Sequence, residues 1–120
     1  MMKSIPVWKQ ELSDGVHAAR LASLYCCSPA ETASEAARYA AVLDGLEKTF
    51  GSHAEAGLYS APGRTEIGGN HTDHQHGRVL AAAVNLDFSA CAAPNGTNTI
   101  RFQSEGWPLA VSYTHLTLPT

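Results

Sequence analysis

The chain has 120 residues, a hydrophobic content of 44%, a charged content of 16% and a formal net charge of −3 at pH 7. This length predicts one domain or a part of one, and this composition is typical of a globular protein with a core. The eight lysines and arginines are scattered along a weakly acidic chain, which argues against nucleic acid or an anionic membrane as a partner. No apolar run reaches the roughly 18 residues of a membrane span, and the N-terminus has no signal-peptide pattern, so we expect a cytoplasmic protein.

The three cysteines, Cys26, Cys27 and Cys91, form no C-x-x-C pair and no even-numbered framework. Neither a structural zinc site nor a disulfide scaffold is therefore predicted. We expect the thiols to be reduced and mostly buried, because free cysteine behaves as a small apolar residue.

Two helices are predicted in the first half of the chain. Residues 7–27 have a loosely helical spacing that is interrupted at Asp14-Gly15, which predicts one short helix after Gly15. Ser28, Pro29 and Glu31 then stand at the N-cap, N1 and N3 positions of a capping box. The helix that follows is expected to run about 20 residues to Gly51, because apolar residues recur at steps of three and four: Tyr39, Val42, Leu43, Leu46 and Phe50.

The second half of the chain predicts strands. Residues 58–61 are interpreted as a short buried strand that leads into a glycine-rich loop. The apolar run 78–86 fits a strand or a buried helix, since periodicity alone does not separate the two. Residues 88–93 and 97–103 are expected to form a hairpin around Pro94-Asn95-Gly96. Helices first and a largely antiparallel sheet afterwards predict the α+β class.

The most informative segment is residues 61–77, hereafter the glycine-rich segment. It holds four glycines, one arginine, one glutamate, one aspartate and three histidines. Glycines let a backbone turn sharply and approach a ligand closely. Arg64, His71 and Asp73 supply the cationic and acceptor groups that bind a polyhydroxylated or phosphorylated ligand.

Two other interpretations of this segment concern metal and phosphate. The histidines His71, His74 and His76 with Asp73 could ligate zinc in a metal-dependent hydrolase, although no distant partner stands at a recognised spacing. A Walker phosphate loop is excluded, because Asn70 and His71 occupy the places of its lysine and hydroxyl residue. The remaining histidines, His17, His53 and His115, are expected to be exposed.

The glycine-rich segment resembles the N-terminal signature of galactokinases in the GHMP sugar-kinase family, usually read as P-G-R-V-N-L-I-G-E-H-T-D-Y. Pro62-Gly63-Arg64 and His71-Thr72-Asp73 match it in register. The resemblance covers roughly residues 7–110 and implies an incomplete domain of the ribosomal protein S5 domain 2-like fold, with a strand at 78–86. It also implies phosphorylation of galactose to galactose 1-phosphate, with ATP and Mg²⁺ as cofactors and small-molecule galactose as the partner.

The resemblance also implies roles for four residues. The arginine matching Arg64 lies beside the attacking sugar hydroxyl and the transferred phosphoryl group, where a fixed positive charge is needed. The residues matching His71 and Asp73 hold sugar hydroxyls, and Asn70 replaces a glutamate that helps to bind the sugar. The alternatives are purely structural roles: a surface ion pair for Arg64, a structural histidine for His71 and an Asx-turn for Asp73.

The family's nucleotide-binding motif and catalytic aspartate lie downstream in relatives, so neither is assigned to a residue of this chain. A sugar sensor that binds galactose without phosphorylating it is therefore the second interpretation. Residues 1–110 are predicted to be the N-terminal galactose-binding part, which we expect to be inactive alone. Residues 111–120 resemble a translated adapter tail that is not native, although their threonines also suit an edge strand.

Overall fold

The computed structural model describes residues 1–52, 55–69 and 75–113. Three helices lie in the first half of this described chain, and four of its five strands lie in the second. The α+β class with antiparallel sheets is thereby confirmed, whereas the S5-like topology stays a prediction. The elements are β1 (Met2–Lys3), α1 (Ile5–Ser13), α2 (Ala18–Tyr25), α3 (Pro29–Phe50), β2 (Ala56–Gly68), β3 (Leu80–Ala92), β4 (Thr99–Phe102) and β5 (Ala110–Tyr113).

The long helix α3 begins and ends where the local chemistry predicts. The Ser28 backbone N–H and hydroxyl both donate to Glu31 Oε2 at 2.7 Å, and Pro29 is the first helical residue. Gly51 follows the last helical residue with a φ of +80°. The helix after Gly15 is also confirmed, as α2. Helix α1 was not predicted, although Pro6 stands in its first turn.

The core lies among the helices and the start of β2. It contains eight buried apolar residues, five of them aliphatic residues from the three helices. Trp8 on α1 ties this core to the sheet, because its indole N–H donates to the Ala56 carbonyl oxygen at 2.7 Å. The predicted apolar stripe of α3 supplies part of the core: Tyr39, Leu43 and Leu46 are buried, and Phe50 packs against them.

Strand β2 is the central strand of a three-stranded antiparallel sheet in the order β1-β2-β3. The prediction of a short buried strand at 58–61 was wrong in length and in burial. The strand continues through Pro62 and Gly63 to Gly68, and Tyr59 is 53% exposed. It is this long because β3 provides hydrogen-bonding partners along nearly its whole length.

Only one face of the β2–β3 pair is covered in the described part of the chain. Leu58 pairs with Cys91, and both pack against the helical core. On the opposite face Leu86 and Phe88 are 75% and 79% exposed. The run 78–86 thus forms a strand from Leu80 onwards, as the resemblance implies, but its side chains are largely exposed.

The predicted hairpin between 88–93 and 97–103 was wrong in its pairing. Asn95 does form a turn, since its side-chain oxygen accepts the Thr97 N–H at 3.0 Å. However, residues 88–92 belong to β3 and pair with β2, while β4 pairs antiparallel with β5. The prediction that residues 111–120 are not native stays a prediction, with 111–113 described as the end of β5.

Two smaller expectations about burial need correction. The cysteines are all free, but none of them is fully buried: Cys26, which ends α2 with φ +50°, is exposed, and Cys27 and Cys91 are partly buried. His17 is not an exposed histidine: its Nε2 lies 2.7 Å from Glu11 Oε2, and its ring packs on Trp8 with centroids 5.4 Å apart. His53 and His115 lie outside the described residues. None of the described helices is long and apolar enough to cross a membrane.

Candidate functional site

The glycine-rich segment begins in β2 and passes into the loop between β2 and β3. Pro62 pairs with Asp87 and Arg64 pairs with Ala83, so Gly63 alone lies opposite three residues of β3. A Cβ on Gly63 would stand 3.1 Å from both the Leu86 carbonyl oxygen and a Val84 methyl. A glycine therefore lets the two strands stay in close contact directly before Arg64.

Gly69 closes the end of this hairpin. Its φ is +100°, and a Cβ there would overlap the Arg78 carbonyl oxygen. Both the dihedral angle and the close approach require glycine. The loop that follows is thus held at its base by a backbone contact that only glycine permits.

Arg64 lies in the regular part of β2 with a largely exposed side chain. Its Nη2 donates to Glu66 Oε1 at 3.2 Å, and the side chains of Arg64 and Glu66 are 64% and 18% exposed. The guanidinium is thus accessible to a ligand and at the same time held by a carboxylate on the same strand. This arrangement supplies a fixed positive charge at the surface of the hairpin.

The other three predicted site residues, Asn70, His71 and Asp73, lie outside the described residues. So does His74 of the suggested metal cluster, whereas His76 is described and is exposed. No group of three or more metal-binding side chains occurs within the described ranges. The structure thus positions Arg64 and the two ends of the loop that carries the other three residues.

A partly buried polar cluster joins this hairpin to the helices, and the sequence analysis did not predict it. The cluster consists of Asp87 on β3, Arg38 on α3, Tyr25 on α2 and Ser60 on β2. Asp87 accepts hydrogen bonds from Arg38 Nη1 and the Tyr25 hydroxyl, each at 2.7 Å, and from the Ser60 hydroxyl. Its side chain is only 7% exposed.

The Asp87 cluster holds a charged carboxylate inside the protein. Burial by itself raises the pKa of Asp87, but the hydrogen bonds from its three partners outweigh burial and lower the pKa to about 2. The carboxylate stays ionised at neutral pH and connects two helices to both long strands. Because Asp87 pairs directly with Pro62, the cluster fixes the strand just before Arg64. An aspartate within an apolar run was the only sequence signal for it.

Comparison with known proteins finds a family signature over these residues. The galactokinase galactose-binding signature matches residues 46–94, which include β2, the loop and β3. The galactokinase of Lacticaseibacillus casei is 36% identical over 67 residues, which are 56% of this chain and 17% of that protein. The galactokinase of Ligilactobacillus salivarius is 38% identical over 61 residues, covering 51% of this chain and 16% of the relative.

A third relative, the galactokinase of Streptococcus mutans, is 35% identical over 71 residues, covering 56% of this chain and 18% of that protein. The matched part thus spans about a sixth of the length of these curated relatives. No solved structure matches the chain. The chain is thus similar over about half of its length to curated galactokinases, and residues 46–94 carry the galactokinase galactose-binding signature.

Proposed function

We propose that this chain is the sugar-binding part of a galactokinase, which transfers the terminal phosphoryl group of ATP to galactose and yields galactose 1-phosphate and ADP. The observation that carries the proposal is the galactose-binding signature over residues 46–94. It coincides with the β2–β3 hairpin, whose strand carries Arg64 and whose loop carries Asn70, His71 and Asp73. The cytoplasmic location expected from the sequence belongs to the same proposal.

The chemistry of the hairpin supports this assignment. Phosphoryl transfer depends on positioning and on neutralising the charge that spreads over the phosphoryl oxygens. Arg64 offers a guanidinium that stays protonated and is exposed at the strand surface. We assign Arg64 to the transferred phosphoryl group and the attacking hydroxyl, and we assign Asn70, His71 and Asp73 to the sugar hydroxyls.

The nucleotide and its Mg²⁺ are not assigned to residues of this chain. Magnesium prefers carboxylate oxygens that keep free coordination positions. Asp87 is enclosed by three hydrogen-bond donors, and Glu66 accepts a hydrogen bond from Arg64. These two carboxylates of the hairpin therefore do not fit a Mg²⁺ site.

The test uses the full-length protein that contains these residues. ADP release is measured with ATP and either galactose or glucose. We expect turnover with galactose, and Arg64→Ala should lower kcat by about two to four orders of magnitude while leaving the ATP KM nearly unchanged. Arg20→Ala, which removes an exposed arginine from α2, is the matched control and should retain wild-type kcat.

The outcomes separate this function from its alternatives. Galactose binding without turnover would make the protein a sugar sensor. Stoichiometric zinc in the purified protein, with hydrolase activity that a chelator removes, would favour the metal-dependent hydrolase. A kcat within threefold of wild type for Arg64→Ala would return Arg64 to a surface ion pair.

A further inference from the structure

Glu66 is a carboxylate that the strand largely withdraws from water. Its side chain is 18% exposed, and it pairs with Ala81 on a stretch of β3 that consists of alanines. Removing a carboxylate from water is costly unless a cation or hydrogen-bond donors compensate for it. Arg64 supplies such compensation, because its Nη2 lies 3.2 Å from Glu66 Oε1.

Arg64 and Glu66 lie on an uninterrupted stretch of strand pairing between two register shifts. Register shifts occur between Pro62 and Arg64 and again between Glu66 and Gly68. Between these shifts, residues 64, 65 and 66 pair without interruption with residues 83, 82 and 81. Residues two apart on a strand project from the same face, so the carboxylate stands beside the guanidinium on a hydrogen-bonded support.

Arginine has a long side chain with several rotatable bonds, and an exposed one ordinarily samples many rotamers. A neighbouring carboxylate that is itself held by the strand reduces this freedom. We propose that Glu66 is a positioning residue for Arg64, which holds the guanidinium where the transferred phosphoryl group arrives. This inference rests on the proposed function, because it requires that Arg64 acts in phosphoryl transfer.

The alternative role for Glu66 is a direct contact to the sugar. It could accept a sugar hydroxyl in place of the glutamate that Asn70 replaces. The low exposure of its side chain and the engagement of Oε1 by Arg64 favour the positioning role. The two roles differ in their kinetics, because a positioning residue changes kcat and a sugar contact changes the galactose KM.

A double-mutant cycle in the full-length protein tests the proposal. Glu66→Gln keeps the shape of the side chain and removes its charge. We expect it to lower kcat about tenfold, because a small displacement of a catalytic group is costly. The KM values for galactose and ATP should stay within about twofold of wild type. In the Arg64→Ala background, measured at single turnover, Glu66→Gln should change the rate by less than about twofold, because its target is absent.

The matched control is Glu105→Gln, which removes an exposed carboxylate outside the hairpin and should leave kcat unchanged. An equal loss of rate from Glu66→Gln in both backgrounds would overturn the proposal, since it would show a general structural role. A raised galactose KM at constant kcat would also overturn it in favour of a sugar contact. If Arg64→Ala lowers kcat and Glu66→Gln does not, only this inference fails. If Arg64→Ala retains wild-type kcat, the assignment of Arg64 to phosphoryl transfer fails, and the inference about Glu66 fails with it.

Discussion

Replacing Asp87 by asparagine should loosen the attachment of the β2–β3 hairpin to the helices. Hydrogen bonds to the ionised form lower the pKa of Asp87 from 3.8 to about 2. At about 1.4 kcal/mol per pH unit, the charge contributes about 2 kcal/mol to the folded state at neutral pH. Asp87→Asn removes this contribution and the ion pair with Arg38 Nη1, so that Arg38 keeps its pair with Glu35 on the same helix.

Hydrogen exchange followed by mass spectrometry locates this effect in the full-length protein. A loss of about 2 kcal/mol should reduce the protection of amides in α3 and β2 by about thirtyfold. The matched control is Asp44→Asn, which removes a carboxylate that pairs with Lys9 and is 68% exposed. We expect at most about a twofold change for this control, because exposed ion pairs contribute little. Unchanged protection in Asp87→Asn would refute the stabilising role of the cluster.

The same cluster predicts the direction of a pH effect. The folded-state pKa of Asp87 is lower than its unfolded value, so its contribution is complete above about pH 4 and is lost as the pH falls towards about 2. The difference in protection between wild type and Asp87→Asn should therefore be constant from pH 7 to pH 5. It should shrink by about half, in free energy, at pH 3. An undiminished difference at pH 3 would show that the charge is not its source.

Four further predictions follow from the described geometry and the loop. In the full-length protein, Asn70→Glu should change the galactose KM about threefold or more at constant ATP KM, because a charge-assisted hydrogen bond replaces a neutral one. An unchanged galactose KM and unchanged selectivity over glucose would mean that Asn70 does not face the sugar. Gly69→Ala should weaken galactose binding measured by calorimetry, because its Cβ would clash with the β3 backbone at the base of the loop. Burial raises the pKa of the Cys91 thiol to about 11, so iodoacetamide at pH 8 should label Cys91 far more slowly than the exposed Cys26, and equal labelling would contradict this. The 120-residue chain alone should show no galactose phosphorylation above a blank and should bind a hydrophobic dye through its exposed sheet face; a sharp cooperative melt with low dye binding would contradict the second part.

Local chemistry explains which helices the sequence predicts. The capping box at Ser28 and Glu31 involves residues three apart, so the sequence contains all the information that the start of α3 requires. The same kind of signal was available for α1. Ser4 precedes it, Pro6 lies in its first turn, and Ile5, Trp8 and Leu12 are the buried residues of one face. The prediction missed this helix because residues 7–27 were treated as one stretch with a loosely helical spacing.

Strand pairing was harder to predict from the sequence, because it depends on residues far apart in the chain. Pro62 and Gly63 suggested the end of a strand, since proline cannot donate a backbone hydrogen bond. In the described part of the chain, β1 pairs only with Ala56 and Gly57, so Pro62 lies on an open edge of β2 where no donor is needed. The Asn95 turn was predicted correctly for the same local reasons as the capping box. The partner of β3 was not predicted, because the paired residues of the two strands are far apart in the chain, from Gly68 with Leu80 to Gly57 with Ala92.

The site residues differ in the same way: a local motif predicts some of them, and only the fold brings the others together. A short motif was enough to identify Arg64 and the loop residues as candidates. The Asp87 cluster, by contrast, joins residues from 25 to 87, and no spacing within the sequence indicates it. The ion pair between Arg64 and Glu66 was visible as a spacing of two, but its meaning depends on the low exposure of Glu66 in the folded strand.

The position of the core along the chain has a consequence for synthesis on the ribosome. Every buried apolar residue of the described core lies between Ile5 and Ala56. N-terminal segments can fold while later ones are still being translated, at about 5 to 20 residues per second. The helical layer can therefore assemble before Arg64 and the loop emerge. The β2–β3 hairpin is then added to helices that are already packed, and the Trp8 indole can donate to Ala56, the first residue of β2.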